Sequence, residues 1–108
     1  MNTLEIVMIP VADQQKAKEF YLQLGFTVLV EAPDAHGGSW IQMSPPGGGA
    51  AISLAKFHGL IYETNDIEME LDSLKGRGLQ TGNIDNTPWG RFAWLKDLDG
   101  NSLCLHQK

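Results

Sequence analysis

The chain opens on a short apolar run over residues 4–11, which predicts a first strand. The period then changes. Asp13 is a candidate helix N-cap, and Ala17, Phe20, Tyr21 and Leu24 follow at helical spacing. Gly25 stands where glycine commonly ends a helix. Residues 26–31 return to β-character, and residues 33–38 form a polar turn. Strands over 39–44 and 50–56 then make a hairpin around Pro45-Pro46-Gly47-Gly48-Gly49.

The same order comes a second time. A strand over 59–64 leads to Asp66 as a helix cap, with Ile67, Leu71 and Leu74 on one helical face. Asp13 and Asp66 lie 53 positions apart, and Gly25 and Gly78 each follow their cap by 12. A last hairpin spans residues 89–105, reversing at Asp99-Gly100-Asn101, where glycine supplies a positive φ. The expected fold class is therefore α+β. Two tandem βαβββ units, about 1–56 and 57–108, form a curved eight-stranded mixed sheet, a half-barrel with its helices on the convex side.

Strand parity assigns the two faces. Val7, Ile9, Ile52, Leu54, Leu60, Tyr62, Leu103 and Leu105 are uniformly apolar and should lie under the helices. The alternate set joins Ile6, Met8, Ser53, Gly59, Ile61 and Glu63 to Ser102, Cys104 and His106. Trp40, Gln42, Phe92 and Trp94 share that parity. This second face mixes aromatic, small and polar groups, as a ligand cleft does.

Composition narrows the function. A chain of 108 residues, 43% hydrophobic, makes one domain with a core. No apolar run reaches spanning length, and the first residues lack a basic, then apolar, leader, so a cytoplasmic protein with no membrane partner is expected. The net charge of −5 and the scattered Lys and Arg disfavour nucleic acid. A single cysteine excludes an internal disulfide and a thiolate-only metal cage.

The wording of the last hairpin, Trp89-Gly90 with its aromatic run and Asp97-Leu98-Asp99-Gly100-Asn101, resembles the vicinal oxygen chelate superfamily. That superfamily holds glyoxalase I, bleomycin-resistance proteins and extradiol dioxygenases. Leu98 stands where proline is usual there. Ile9-Pro10-Val11-Ala12-Asp13, Phe20-Tyr21, Leu24-Gly25-Phe26 and Tyr62-Glu63-Thr64-Asn65-Asp66-Ile67 extend the resemblance over nearly the whole chain. It implies a half-barrel fold, a concave small-molecule site and a homodimer. In metal-dependent relatives four strand positions supply His, Gln or Glu to a Lewis-acidic ion. Carried over, those positions fall on Ile6, Ser53, Gly59 and Cys104, so the resemblance implies a lost metal site.

Other chemistry is weaker. His58, Glu63 and His106 would form a displaced metal site only after a register slip, which normally sends a side chain to the opposite face. Asp97, Asp99 and Asn101 imitate the start of a calcium loop, but Lys108 stands at the bidentate glutamate position. Gly47-Gly48-Gly49 lacks the Lys-Ser/Thr pair of a phosphate loop. Cys104 has no evident partner to activate it as a nucleophile. His106 reads as a fraying terminal residue, or as part of the cleft.

The expectation is a binding protein without metal or other cofactor, holding an aromatic or cationic small molecule. Its ligand-binding residues are expected to be Trp40, Gln42, Glu63, Trp89, Phe92, Trp94 and His106. The alternative is a glyoxalase- or dioxygenase-like enzyme, with a displaced metal or with Glu63 and His106 as acid and base.

Overall fold

A computed structural model describes residues 1–34 and 38–108. The chain runs β1 (Leu4–Pro10), α1 (Gln14–Gln23), β2 (Thr27–Pro33), β3 (Ser39–Ser44), β4 (Ala51–Ala55), then β5 (Gly59–Glu63), α2 (Ile67–Gly76), β6 (Asp85–Thr87), β7 (Gly90–Lys96) and β8 (Ser102–Gln107). This is βαβββ twice, with eight strands in all. The contacts gather into two compact bodies, Ile6–His58 and Met1–Glu5 together with Gly59–Lys108. The first five residues therefore join the later half of the chain, and β1 is divided between Glu5 and Ile6.

In the body formed by Ile6–His58 the strand order is β2-β3-β4-β1. β1 runs parallel to β4, and the other two pairings are antiparallel. Asp13 caps α1 by accepting from the Lys16 amide at 3.0 Å, and Gly25 closes it with φ 98°. Ala17 and Tyr21 turn inward onto Ile41, Met43 and Leu54, with Ile9, Val11, Phe26 and Ile52 around them. Phe20 and Leu24 share the helical spacing, yet both are more than half exposed. A ten-residue helix lying on a sheet covers it with one narrow stripe, so the flanking apolar positions stay in water. Gln14 fastens the start of α1, donating to the carbonyls of Ser39 at 2.6 Å and Leu54 at 2.7 Å. β2 is an end strand of this body. It exposes Val28 and Leu29, its register slips between Val28 and Val30, and Glu31 pairs with Lys18 at 2.7 Å. Of the expected polar turn over 33–38, residues 35–37 lie outside the described residues.

In the other body the order is β5-β8-β7-β6, with β5 parallel to β8 and the rest antiparallel. Asp66 caps α2 by accepting from the Met69 amide, and Gly78 follows its end with φ 86°. The side-chain oxygen of Gln107 accepts a further α2 amide, that of Ile67, at 2.8 Å. Ile67, Leu71 and Leu74 then bury against Ala93 and Leu105, with Tyr62 and Ile84 alongside. Asp97 organises the last turn by accepting from the amides of Asp99 and Asn101 and from the Asn101 side chain. Those bonds hold its carboxyl below the ordinary carboxylate range, the Asn101 side chain contributing most. The turn is a hairpin, as its sequence indicates.

Register confirms the assignment of faces within each body. Val7 stands beside Ile52 and Ile9 beside Leu54 on the side packed by α1. Tyr62, Leu105 and Ala93 line up across β5, β8 and β7 on the side packed by α2. Leu105 is fully buried in the second cluster, so Leu105→Ala removes several methyl groups and leaves a cavity. The variant should lose about 3 kcal/mol in urea denaturation. A loss under about 1 kcal/mol would mean that the cluster re-closes.

Candidate functional site

The face away from α2 carries most of the residues singled out in the sequence. Three rows cross it: Ile61, Cys104 and Trp94; Glu63, His106 and Phe92; Gly59, Ser102 and Lys96. Phe92 and Trp94 are two residues apart on β7 and project to the same side, both half-buried. Ile61 and Cys104 beneath them are closed to solvent.

His106 is not a fraying end. It lies in β8, is 6% exposed and stacks on Phe92 with ring centroids 4.2 Å apart and planes within 1°. Its Nε2 donates to the Trp89 carbonyl at 2.8 Å, and its Nδ1 meets a Glu5 carboxylate oxygen at 2.7 Å. A carbonyl can only accept, so Nε2 carries hydrogen, and Nδ1 is turned to the Glu5 carboxylate. Both ring nitrogens are thus engaged within the protein.

Glu5 was not singled out from the sequence. Its parity matches Val7 and Ile9, which places it on the helix side. Its carboxylate nevertheless meets His106 Nδ1, and the Asn2 amide and Thr3 carbonyl tie the residues before it to the Glu63 backbone.

Gly90 completes the arrangement. Its φ is 126°, and a Cβ there would sit 2.5 Å from the Gln107 carbonyl and 2.6 Å from His106 Nε2. Only glycine admits the imidazole this close to the backbone. Trp89 supplies its carbonyl here, whereas its indole is 55% exposed on the turn. Glu63 sits at the rim, its carboxylate 3.2 Å from Lys108 Nζ and 3.5 Å from Thr3 Oγ1. With Thr64, Asn65, His106, Gln107 and Lys108 it lines a cavity of about 200 Å³, smaller than most drug-sized sites.

In the body formed by Ile6–His58, Trp40 and Gln42 lie on one side of β3, and the Trp40 indole donates to the Gln42 side-chain oxygen at 3.1 Å. Gln42 stands opposite Ser53, which stands beside Met8. Ser53 and Met8 are buried.

Residues 3–105 match the Glyoxalase/Bleomycin resistance protein/Dioxygenase superfamily. The chain belongs to that superfamily. It is 29% identical to the uncharacterized protein YetH of Bacillus subtilis over 94% of each chain. TnmS3, an antibiotic binding protein from Streptomyces sp. CB03234, is 35% identical, covering 99% of this chain and 96% of its own, with a TM-score of 0.47. Methylmalonyl-CoA epimerase from Mycobacterium tuberculosis superposes with a TM-score of 0.82 at 20% identity, over 97% of this chain and 87% of that one. This last likeness establishes the glyoxalase-type fold.

The donor positions that superfamily membership brings into question do not suit a chelated divalent ion. Ile6 and Gly59 offer no donor, and Ser53 offers a neutral hydroxyl. Burial pushes the Cys104 thiol up to about 12, so it is protonated at neutral pH. Among the described residues, no three His, Cys, Asp or Glu side chains gather as a metal cluster. His106 could join a displaced site only by giving up Glu5 or Trp89.

Two consequences are measurable. Native Cys104 should stay unmodified by a disulfide reagent at pH 8 and react at once in urea; fast native labelling would contradict its burial. Because its folded value is raised, its contribution to stability is full below about pH 9 and is lost as pH rises toward 12. Gly90→Ala should cost about 3 kcal/mol in urea denaturation, through backbone strain and displacement of His106. A near-neutral result would show that the backbone there yields.

Proposed function

We propose that this chain is a metal-free binding protein for flat aromatic or cationic small molecules. The donor set carries the reading: a residue pattern of Ile6, Ser53, Gly59 and a protonated Cys104 supports binding without a chelate centre. TnmS3's antibiotic binding is a property of that protein.

Phe92 and Trp94 are half-buried on β7, and Phe92 is held in place by the imidazole stacked on it. Rings so fixed lose little freedom on stacking against a ligand. Glu63 would anchor a cation, since an exposed pair such as Glu63–Lys108 is weak and gives way to a better-placed charge. Trp40 and Gln42 present a second aromatic and polar surface in the other body. Trp89 would contribute its exposed indole, and His106 its support of Phe92. A general base needs a free ring nitrogen, which His106 lacks, so the acid–base alternative is the less supported.

The test combines metal content with ligand binding. Tag-free protein equilibrated in turn with nickel, zinc, manganese and iron(II), then desalted, should keep less than a tenth of an ion per chain. Proflavine, a flat cation, should quench tryptophan fluorescence saturably. Trp94→Ala should weaken that binding about tenfold, and Glu63→Gln by a smaller factor that vanishes in high salt. One tightly held ion per chain would defeat the reading, as would quenching that does not saturate.

A further inference from the structure

The hydroxyl of Ser53 is fully buried and has no hydrogen-bond partner. Native structures leave few such groups, and each calls for an explanation in an ordered water, a strained site or an absent ligand. Its surroundings favour the last. Ser53 stands directly opposite Gln42 in the antiparallel β3–β4 pair, so the two side chains rise on the same face a few ångströms apart. The Trp40 indole, a donor only, takes the side-chain oxygen of Gln42 and thereby fixes which way that amide points. The amide nitrogen of Gln42 then turns away from Trp40 with two hydrogens to give. Gln42 is half-buried, so these hydrogens face open space that a ligand can enter.

One orphan hydroxyl and one oriented amide, side by side next to an indole, amount to two neutral donors beside a ring. Donors so placed suit a single acceptor oxygen on a flat molecule. No cationic side chain stands among Met8, Trp40, Gln42 and Ser53, so a neutral carbonyl fits better than a carboxylate or phosphate. We infer that Ser53 and Gln42 form the oxygen-binding end of a ligand subsite, and that its ligand class is aromatic ketones and amides whose ring lies along Trp40. This rests on the binding function proposed above and adds the polar group by which a ligand is chosen.

The experiment uses a matched pair, 9-fluorenone and fluorene, which differ only in the carbonyl. Each is titrated into the full chain and followed by tryptophan quenching. The native protein should bind fluorenone about fivefold or more tighter than fluorene. In Ser53→Ala and in Gln42→Met that ratio should collapse toward one. Ser53→Ala should melt at the same temperature as the native protein or higher, since it removes an unsatisfied polar group. If Ser53→Ala instead melts lower and keeps the fivefold ratio, the hydroxyl holds a structural water and the inference is overturned. If fluorene and fluorenone bind the native protein equally, the aromatic surface stands and the subsite falls. If neither these nor proflavine bind, the binding function itself fails and takes the subsite with it.

Discussion

Within the body that holds both ends of the chain, the placement of His106 is the constraint on which its neighbours depend. One imidazole stacks on β7 through Phe92, bonds the segment before β7 through the Trp89 carbonyl, and reaches Glu5 at the start of β1. Two stretches far apart in sequence, residues 89–92 and Glu5, are thus referred to a single ring. The ring can come so close only because Gly90 has no side chain. A buried imidazole is a demanding group, and here both nitrogens and one face are satisfied, so it adds rigidity in place of reactivity. The aromatic surface of β7 inherits that rigidity.

The positions that the family resemblance assigns to metal donors carry other groups. The thiol of Cys104 is kept protonated by burial, beneath Trp94 in the same cross-strand row. Ser53 keeps a small neutral hydroxyl at the floor of the other body. Both are neutral groups, cheaper to bury than a charged donor. The acidic balance of the chain, together with Glu63 at the rim, leaves room for positive charge at the edge.

Much of the fold could be read in the sequence, because local chemistry and global position agree there. Asp13 and Asp66 cap as their spacing from Gly25 and Gly78 indicates, and the apolar parity of β4, β5 and β8 lies under the helices. Other features were not legible. β6 is Asp85-Asn86-Thr87, exposed and polar with no alternation to mark it, and it is a strand only because β7 offers it partners. Glu5 was hidden because its partner, His106, lies 101 positions further along the chain. Phe20 and Leu24 look like core by period but fall outside the stripe that a short helix can cover. At the candidate site, residue types were readable but their obligations were not. That His106 spends both nitrogens, and that Ser53 spends nothing, are facts of distance.

β2 has one more consequence. An end strand with Val28 and Leu29 in water offers ready backbone groups to any other extended chain, the first step of fibril growth. Here that invitation is withdrawn several times over. The slipped register between Val28 and Val30 breaks the even ladder a newcomer would need, and Pro33 has no amide hydrogen to give. Glu31, clasped by Lys18 and Gln15, sets charge and bound side chains along the remaining stretch. The irregularities that make this strand look poorly formed are the same ones that oppose edge-to-edge pairing.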